Sequence, residues 1–324
     1  MTRKSPSIIA LMALMSLKGV GRRAALRIVT DPGRVEDGEA YRRDIVARAI
    51  RARLSEDALQ DAWRAAADKF DASIDAGLTM YSFHDEGYPH RLRGIGDPPA
   101  VLFVKGDPTG LDAPRSLAVV GTREPTEFGS EVARRSGQSA AQAGFAIVSG
   151  LAHGCDTFGH EGCLEGNGVG VAVMAHGLDR IYPVSSRDLS VRLLETGGCL
   201  VSEYPLGMTP VRAAFAERDR IQSGLSDGVL VIETDEKGGT MHTVRFALEQ
   251  QRSLACISHP NKWLSFEKTR GNQKLIKEGR ARPIPDGEAL LSFLAEIPPQ
   301  IGSLETSADL PRGRGTRQQL TWDL

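Results

Sequence analysis

From residue 115 onward, short apolar runs alternate with longer stretches of helical period. The runs at 117–120, 146–149, 170–175, 199–202, 228–232 and 253–257 read as strands covered on both faces, because their apolar residues are largely consecutive and do not alternate with polar ones. Each interval is long enough for a helical crossover, which predicts a mainly parallel sheet with helices on both faces, an α/β domain over residues 115–297.

The pattern before that domain is different. Residues 8–29, "IIALMALMSLKGVGRRAALRIV", read as an apolar helix, a Gly-Val-Gly turn at Gly19–Gly21 and a second helix from Arg22, the pattern of a helix-hairpin-helix. Such a turn suits either helix packing or a phosphate, with Arg22 and Arg23 adding charge. Residues 39–76 continue as amphipathic, charge-laced helices, so residues 1–76 are expected to be a small all-α domain of helix-hairpin-helix or SAM-like type. Residues 77–114 are a turn-rich connector with one strand at 101–104. Residues 298–324 lack periodicity and read as a disordered tail.

In a parallel sheet the ligand lies at the carboxyl ends of the strands. There the sequence repeats one theme: Gly121-Thr122-Arg123 after the first strand of the domain, Ser149-Gly150 after the second, Gly177 after the third, and Gly238-Gly239-Thr240 before a helix. Glycine turns at helix N-termini expose backbone N–H groups to an anion. The spacing is not G-x-G-x-x-G, and Ser149-Gly150 stand where a dinucleotide site needs an acidic residue for the ribose, so NAD is not expected.

Charge refines this picture. The net charge of −1 over 324 residues gives no strong global field, so any nucleic acid must be held by a local patch. Residues 262–283 supply one, with seven Lys or Arg against two Glu, interleaved with Trp263 and Phe266. Basic charge tracks a phosphate backbone while aromatic rings stack on bases. Arg218 and Arg220 fall at a loop-to-helix transition near the same rim. Four cysteines without a C-x-x-C pair and no signal-like N-terminus fit a reducing cytoplasm, and no apolar run is long enough to span a bilayer. His153, Asp156 and His160 would share a helical stripe, but Cys155 points away from it, so no metal is expected. No P-loop is present, and spacing alone establishes no nucleophile–His–Asp triad.

The motifs together resemble the DNA-processing protein A (DprA or Smf) family. They run from "YPHRLRGIGDPPAVLFVKGD" through "VVGTREPTEFG", "IVSGLAHGCDTFGH", "GLDRIYP", "SEYPLG", "RDRIQSGLS" and "GGTMHTVRFALEQ" to "GNQKLIKEG". The resemblance implies an extended Rossmann-like fold that binds single-stranded DNA, forms a homodimer and loads a RecA-type recombinase, with no cofactor, metal or turnover reaction. The sugar-phosphate contacts it implies fall on Gly121, Thr122, Arg123, Ser149, Gly150, Arg218, Arg220, Gly239, Thr240 and Lys274. His153 stands where the family usually has Arg, and Asp219 where it has Asn. With little chain after Pro298, the resemblance is to a diverged member without the C-terminal winged helix of many relatives.

Two other roles remain open on the sequence. One is a component of an anti-phage or toxin–antitoxin pair, partnered with a phosphoribosyltransferase-like toxin. The other is a nucleotide phosphoribohydrolase, because "KGGTMHTVRFALE" echoes the P-G-G-x-G-T-x-x-E motif of such enzymes; the echo lacks the proline, and Glu249 falls too far downstream.

Overall fold

The computed structural model describes residues 6–29 and 38–298, so the tail expected over 298–324 lies, but for Pro298, outside the described residues. Among the described residues are twelve α-helices and nine strands, and none of the helices is long and apolar enough to cross a membrane. The chain divides into two units. The first runs to Lys105 and takes in Ala175–Arg180 and Val201–Val211; the second holds Gly106–Met174, Ile181–Leu200 and the chain from Arg212 on.

The first unit contains α1 (Pro6–Ser16), α2 (Arg22–Ile28), α3 (Gly38–Arg51), α4 (Glu56–Asp75), β1 (Thr79–Ser82), α5 (His90–Arg93) and most of β2 (Val101–Gly106). Helix α1 is apolar nearly all round and is buried from Ser7 to Leu14, packed against α2, α3, α4 and β1. Helix α4 starts at Ser55, whose Oγ accepts the Ala58 N–H at 3.3 Å. It buries Leu59, Trp63, Ala66, Phe70 and Ser73, a single stripe at helical spacing. Strand β1, absent from the sequence expectation, pairs antiparallel with β2, placing Met80 opposite Phe103.

The second unit continues with β3 (Ser116–Val120), α6 (Glu127–Gln142), β4 (Ala146–Ser149), α7 (Cys155–Glu165), β5 (Gly170–Val173), α8 (Arg187–Glu195), β6 (Cys199–Ser202), α9 (Arg212–Gly224), β7 (Gly228–Val231), α10 (Thr240–Glu249), β8 (Ser253–Ile257), α11 (Arg270–Lys277), β9 (Arg282–Ile284) and α12 (Gly287–Glu296). The chain passes from the second unit into the first within β6. Six strands lie in the order β5-β4-β3-β7-β8-β9, and all five pairings are parallel. This is the doubly wound α/β fold expected from the apolar runs. Strand β3 shows why those runs do not alternate: Leu117 and Val119 enter the core beneath α6, α7 and α12, while Ala118 and Val120 enter the one beneath α10 and α11. Strand β9 carries Pro283 on the sheet edge, where a missing N–H costs no ladder bond, and its three residues give no apolar run.

The strand order reverses between β3 and β7, so their carboxyl ends form the crevice of a doubly wound sheet. Helices α6 and α7, which leave β3 and β4, meet backbone to backbone. A Cβ on Gly162 would strike the carbonyl of Arg134, and one on Gly137 that of Gly159.

Candidate functional site

The turn after β3 is clamped at the switch point. Thr122 donates its N–H to the Glu233 carbonyl at 2.7 Å, and its own carbonyl accepts the Cys155 N–H at 3.1 Å. Gly121 has no room for a side chain, which would meet Cys155 and the Glu233 backbone. Thr126 caps α6, accepting the Gly129 N–H at 3.0 Å, and is tied to the Glu233 carboxylate by its hydroxyl at 2.6 Å and its N–H at 2.8 Å. His259 lies 3.2 Å from the same carboxylate. The clamp leaves Arg123 exposed on the turn, its guanidinium 5.2 Å from the centre of the Phe215 ring. Tyr182, 45% exposed, lies 5.8 Å from Phe215 ring to ring.

The turn after β4 lies against the first. Ser149 is fully buried and donates to the Val119 carbonyl at 2.7 Å, tying the two strand ends together. Gly154, at φ +77°, packs on the Thr122 and Arg123 backbone, which combines a left-handed conformation with an approach that excludes a side chain. Gly150 donates its N–H to the Asp156 carboxylate at 3.1 Å, and the space its side chain would fill is taken by the Arg218 guanidinium. Arg218, with a side chain 5% exposed, lies 3.9 Å from Asp156 and 3.6 Å from Asp219; its Nε and Nη1 make no hydrogen bond among the described residues. Burial raises the Asp156 carboxyl and pushes that of Asp219 up to about 7.

The Asp219 shift carries a stability prediction. Below about pH 4 both folded and unfolded chains hold the proton; between about pH 4 and 7 only the unfolded chain has lost it, so folding is progressively penalised, and above pH 7 the penalty is complete. Asp219→Asn is therefore expected to stabilise the protein at about pH 8 by about 2 kcal/mol and to leave it unchanged near pH 4. A shift of three units, already net of the pull of Arg218, sets a ceiling of ~4 kcal/mol, reduced by the cost of burying an amide in the carboxyl's place. Chemical denaturation at the two pH values checks this; equal stability of variant and wild type at pH 8 would refute it.

The structure thus brings together Gly121, Thr122, Arg123, Ser149, Gly150 and Arg218. His153 is exposed on the loop between β4 and α7. Gly239 and Thr240 stand at the head of α10, Gly239 with open space around it. Lys274 is exposed on α11 and pairs with Glu236 at 3.0 Å. Arg220 is 2% exposed and donates to the Glu217 carbonyl at 2.8 Å. Asp219, expected on the rim, lies mostly buried beneath it.

Much of the basic run is offset by carboxylates: Lys268 lies 3.8 Å from Asp235 and Arg280 lies 3.4 Å from Glu278, while Arg282 pairs with Glu296. Of its aromatics, Trp263 is a core residue stacked near Phe128, whereas Phe266 is 45% exposed. In the first unit Arg22 pairs with Asp97 and Glu203, and Arg23 with Asp97, which offsets the charge expected at the Gly-Val-Gly turn. Of the His-Cys cluster, His160, Cys155 and Cys163 are buried core side chains, and burial lowers His160 to about 4, leaving it neutral. Glu249 pairs with Arg245 at the end of α10 remote from Gly239 and Thr240.

Three residues of the site were not anticipated. Phe215 and Tyr182 are signalled by an aromatic in each of "AFAERDR" and "DRIYP", and Glu233 directly follows an apolar strand, the position where such folds place functional groups.

A doubly wound sheet with glycine turns and an exposed arginine at its switch point, lacking a dinucleotide fingerprint, defines a Rossmann-type protein with a cationic side chain on its switch-point rim. Residues 79–295 match the family of DNA recombination-mediator protein A, and the chain belongs to it. The chain is 41% identical to protein Smf of Escherichia coli over 194 residues, 60% of this chain and 51% of that protein. It is 36% identical to DNA processing protein DprA of Bacillus subtilis over 220 residues, 68% of this chain and 72% of that one. It thus spans about half the length of the E. coli relative. The X-ray structure of DprA from Streptococcus pneumoniae superposes with a TM-score of 0.66 at 29% identity, covering 77% of this chain and 85% of that one. DprA from Helicobacter pylori, a structure described for its single-stranded DNA binding mode, gives a TM-score of 0.59 at 28% identity, covering 67% and 94%.

Proposed function

We propose that this protein binds single-stranded DNA across the β3 and β4 turns, as a homodimer in the cytoplasm, and passes the strand to a RecA-type recombinase. The observation that carries the reading is Arg123, exposed over Phe215 beside Tyr182 at the switch point. A guanidinium takes a phosphate through two parallel N–H bonds, and an adjoining aromatic pair gives bases a face on which to stack. Gly121, Gly150 and Gly154 bring backbone close to this place, and Gly239, Thr240, His153 and Lys274 would extend the track of the strand. Arg218 and Arg220 would act from beneath it. Relatives named for DNA processing and the H. pylori structure named for its single-stranded DNA binding support the reading.

The test is a binding isotherm on single-stranded and duplex oligonucleotides over a salt series, with mass followed by light scattering. Single strands are expected to bind more tightly, without sequence preference. Arg123→Ala is expected to cost about 1.5–3 kcal/mol of binding and to lower the salt slope by about 0.7, while Lys274→Ala, a lost point charge already paired with Glu236, costs less. Both variants should melt as wild type. An Arg123→Ala protein that is folded and binds like wild type would remove the strand from this turn.

A further inference from the structure

We infer that Asp219 is a proton-linked gate on this rim: charged, it sets a second carboxylate against Arg218 and repels a phosphate at the turns above; protonated, it releases the guanidinium charge to the strand. The inference rests on the DNA-binding reading and adds a regulatory property to the same site.

The geometry is a buried charge cluster. Asp156 from α7 and Asp219 from α9 flank one arginine, with side chains 8%, 13% and 5% exposed. Neither carboxylate is within hydrogen-bonding distance of the guanidinium, so the cluster is held by field and not by a closed ion pair. Arg218 fills the space at Gly150, directly under the turn. The cluster therefore carries one net negative charge when both carboxylates are ionised and none when Asp219 is protonated. In so dry a place that change is weakly screened.

The groups around Asp219 single it out. On its own helix are Arg218, the exposed Glu217, and Arg220, which donates to the Glu217 carbonyl. From α7 comes Asp156, and from the β3–α6 turn Arg123, whose charge also acts on Asp219. Helix α10 offers the Thr243 hydroxyl, with its charged or titratable residues His242, Arg245 and Glu249 all exposed. Nearby His160 remains neutral because burial lowers it to about 4, whereas burial lifts Asp219 to about 7, with the opposing pull of Arg218 as the next cause. The exposed His153 on the adjacent loop lies outside the cluster and provides the comparison variant.

The experiment measures affinity for an oligothymidylate at fixed ionic strength between about pH 6 and pH 8, using the full chain, Asp219→Asn and His153→Gln. One proton taken up per bound strand changes affinity by at most tenfold per pH unit, so wild type is expected to weaken about tenfold across this range. Asp219→Asn is expected to be flat and to bind at pH 8 as wild type does at pH 6, while His153→Gln keeps the wild-type slope. The gate is overturned if wild-type affinity does not depend on pH, if Asp219→Asn retains the slope, or if His153→Gln abolishes it; in each case the DNA-binding reading stands. If wild type binds no single-stranded DNA at any pH, that reading fails and the gate fails with it.

Discussion

Asn272→Ala is expected to lose about 4 kcal/mol of stability, although it removes neither charge nor a large apolar group. Asn272 is fully buried at the end of the sheet. Its Nδ2 donates to the carbonyls of Ile232 at 2.8 Å and Ile257 at 3.1 Å, and its Oδ1 accepts the Thr234 N–H at 3.0 Å. One side chain thus satisfies backbone groups where the chain leaves β7 and β8, beyond the reach of the strand ladder. Truncation strands two carbonyls and an N–H away from water, at about 1–3 kcal/mol for each group left unpaired, with a cavity added. Asn272→Asp would keep the acceptor but turn a carboxylate toward two carbonyls, so it should be no better. Denaturant midpoints measure the loss. A cost below about 1 kcal/mol for Asn272→Ala would show that water replaces the side chain at no penalty. Because Glu233 precedes Thr234 and holds the Arg123 turn, binding at the proposed DNA site should weaken in the surviving folded fraction.

Gly162→Ala is expected to cost about 3 kcal/mol, for the opposite reason. Here one methyl group is added where the Arg134 carbonyl and the Gln138 N–H of α6 lie, and backbone cannot swing aside as a flexible side chain can. Helices α6 and α7 would have to separate, and they carry at their N-termini the two turns of the rim. Gly239→Ala is the control: its Cβ meets nothing within 4 Å and its φ is −55°, so the change should stay within about 0.5 kcal/mol. Equal melting temperatures for the two variants would mean that the close contact of α6 with α7 relaxes freely.

The elements and the site were legible to different degrees. Strands β4, β6 and β8 fall on the residues expected for them, and β3, β5 and β7 lie within two residues of theirs, since a strand covered on both faces must be apolar at every position. Strands β1 and β9 were not legible: one is half-covered and four residues long, the other three residues with a proline. The turns that hold Gly121 and Gly150 were visible because a close backbone approach leaves glycine in the sequence.

The α/β architecture, the positions of the glycine turns and the placement of Arg123 after the first strand of the parallel sheet can be read along the chain, because apolar runs and backbone conformation are local properties. Which charges are offset and which are not is set by folding. Lys274 and Lys268 meet Glu236 and Asp235 from another loop, Arg22 meets Asp97 from 75 residues away, Trp263 enters the core, and Arg218 lies between two carboxylates beneath Gly150. Counting charges along the chain cannot separate these cases, since the energy of a charge depends on its distance from its partners and on the water between them, and folding sets both.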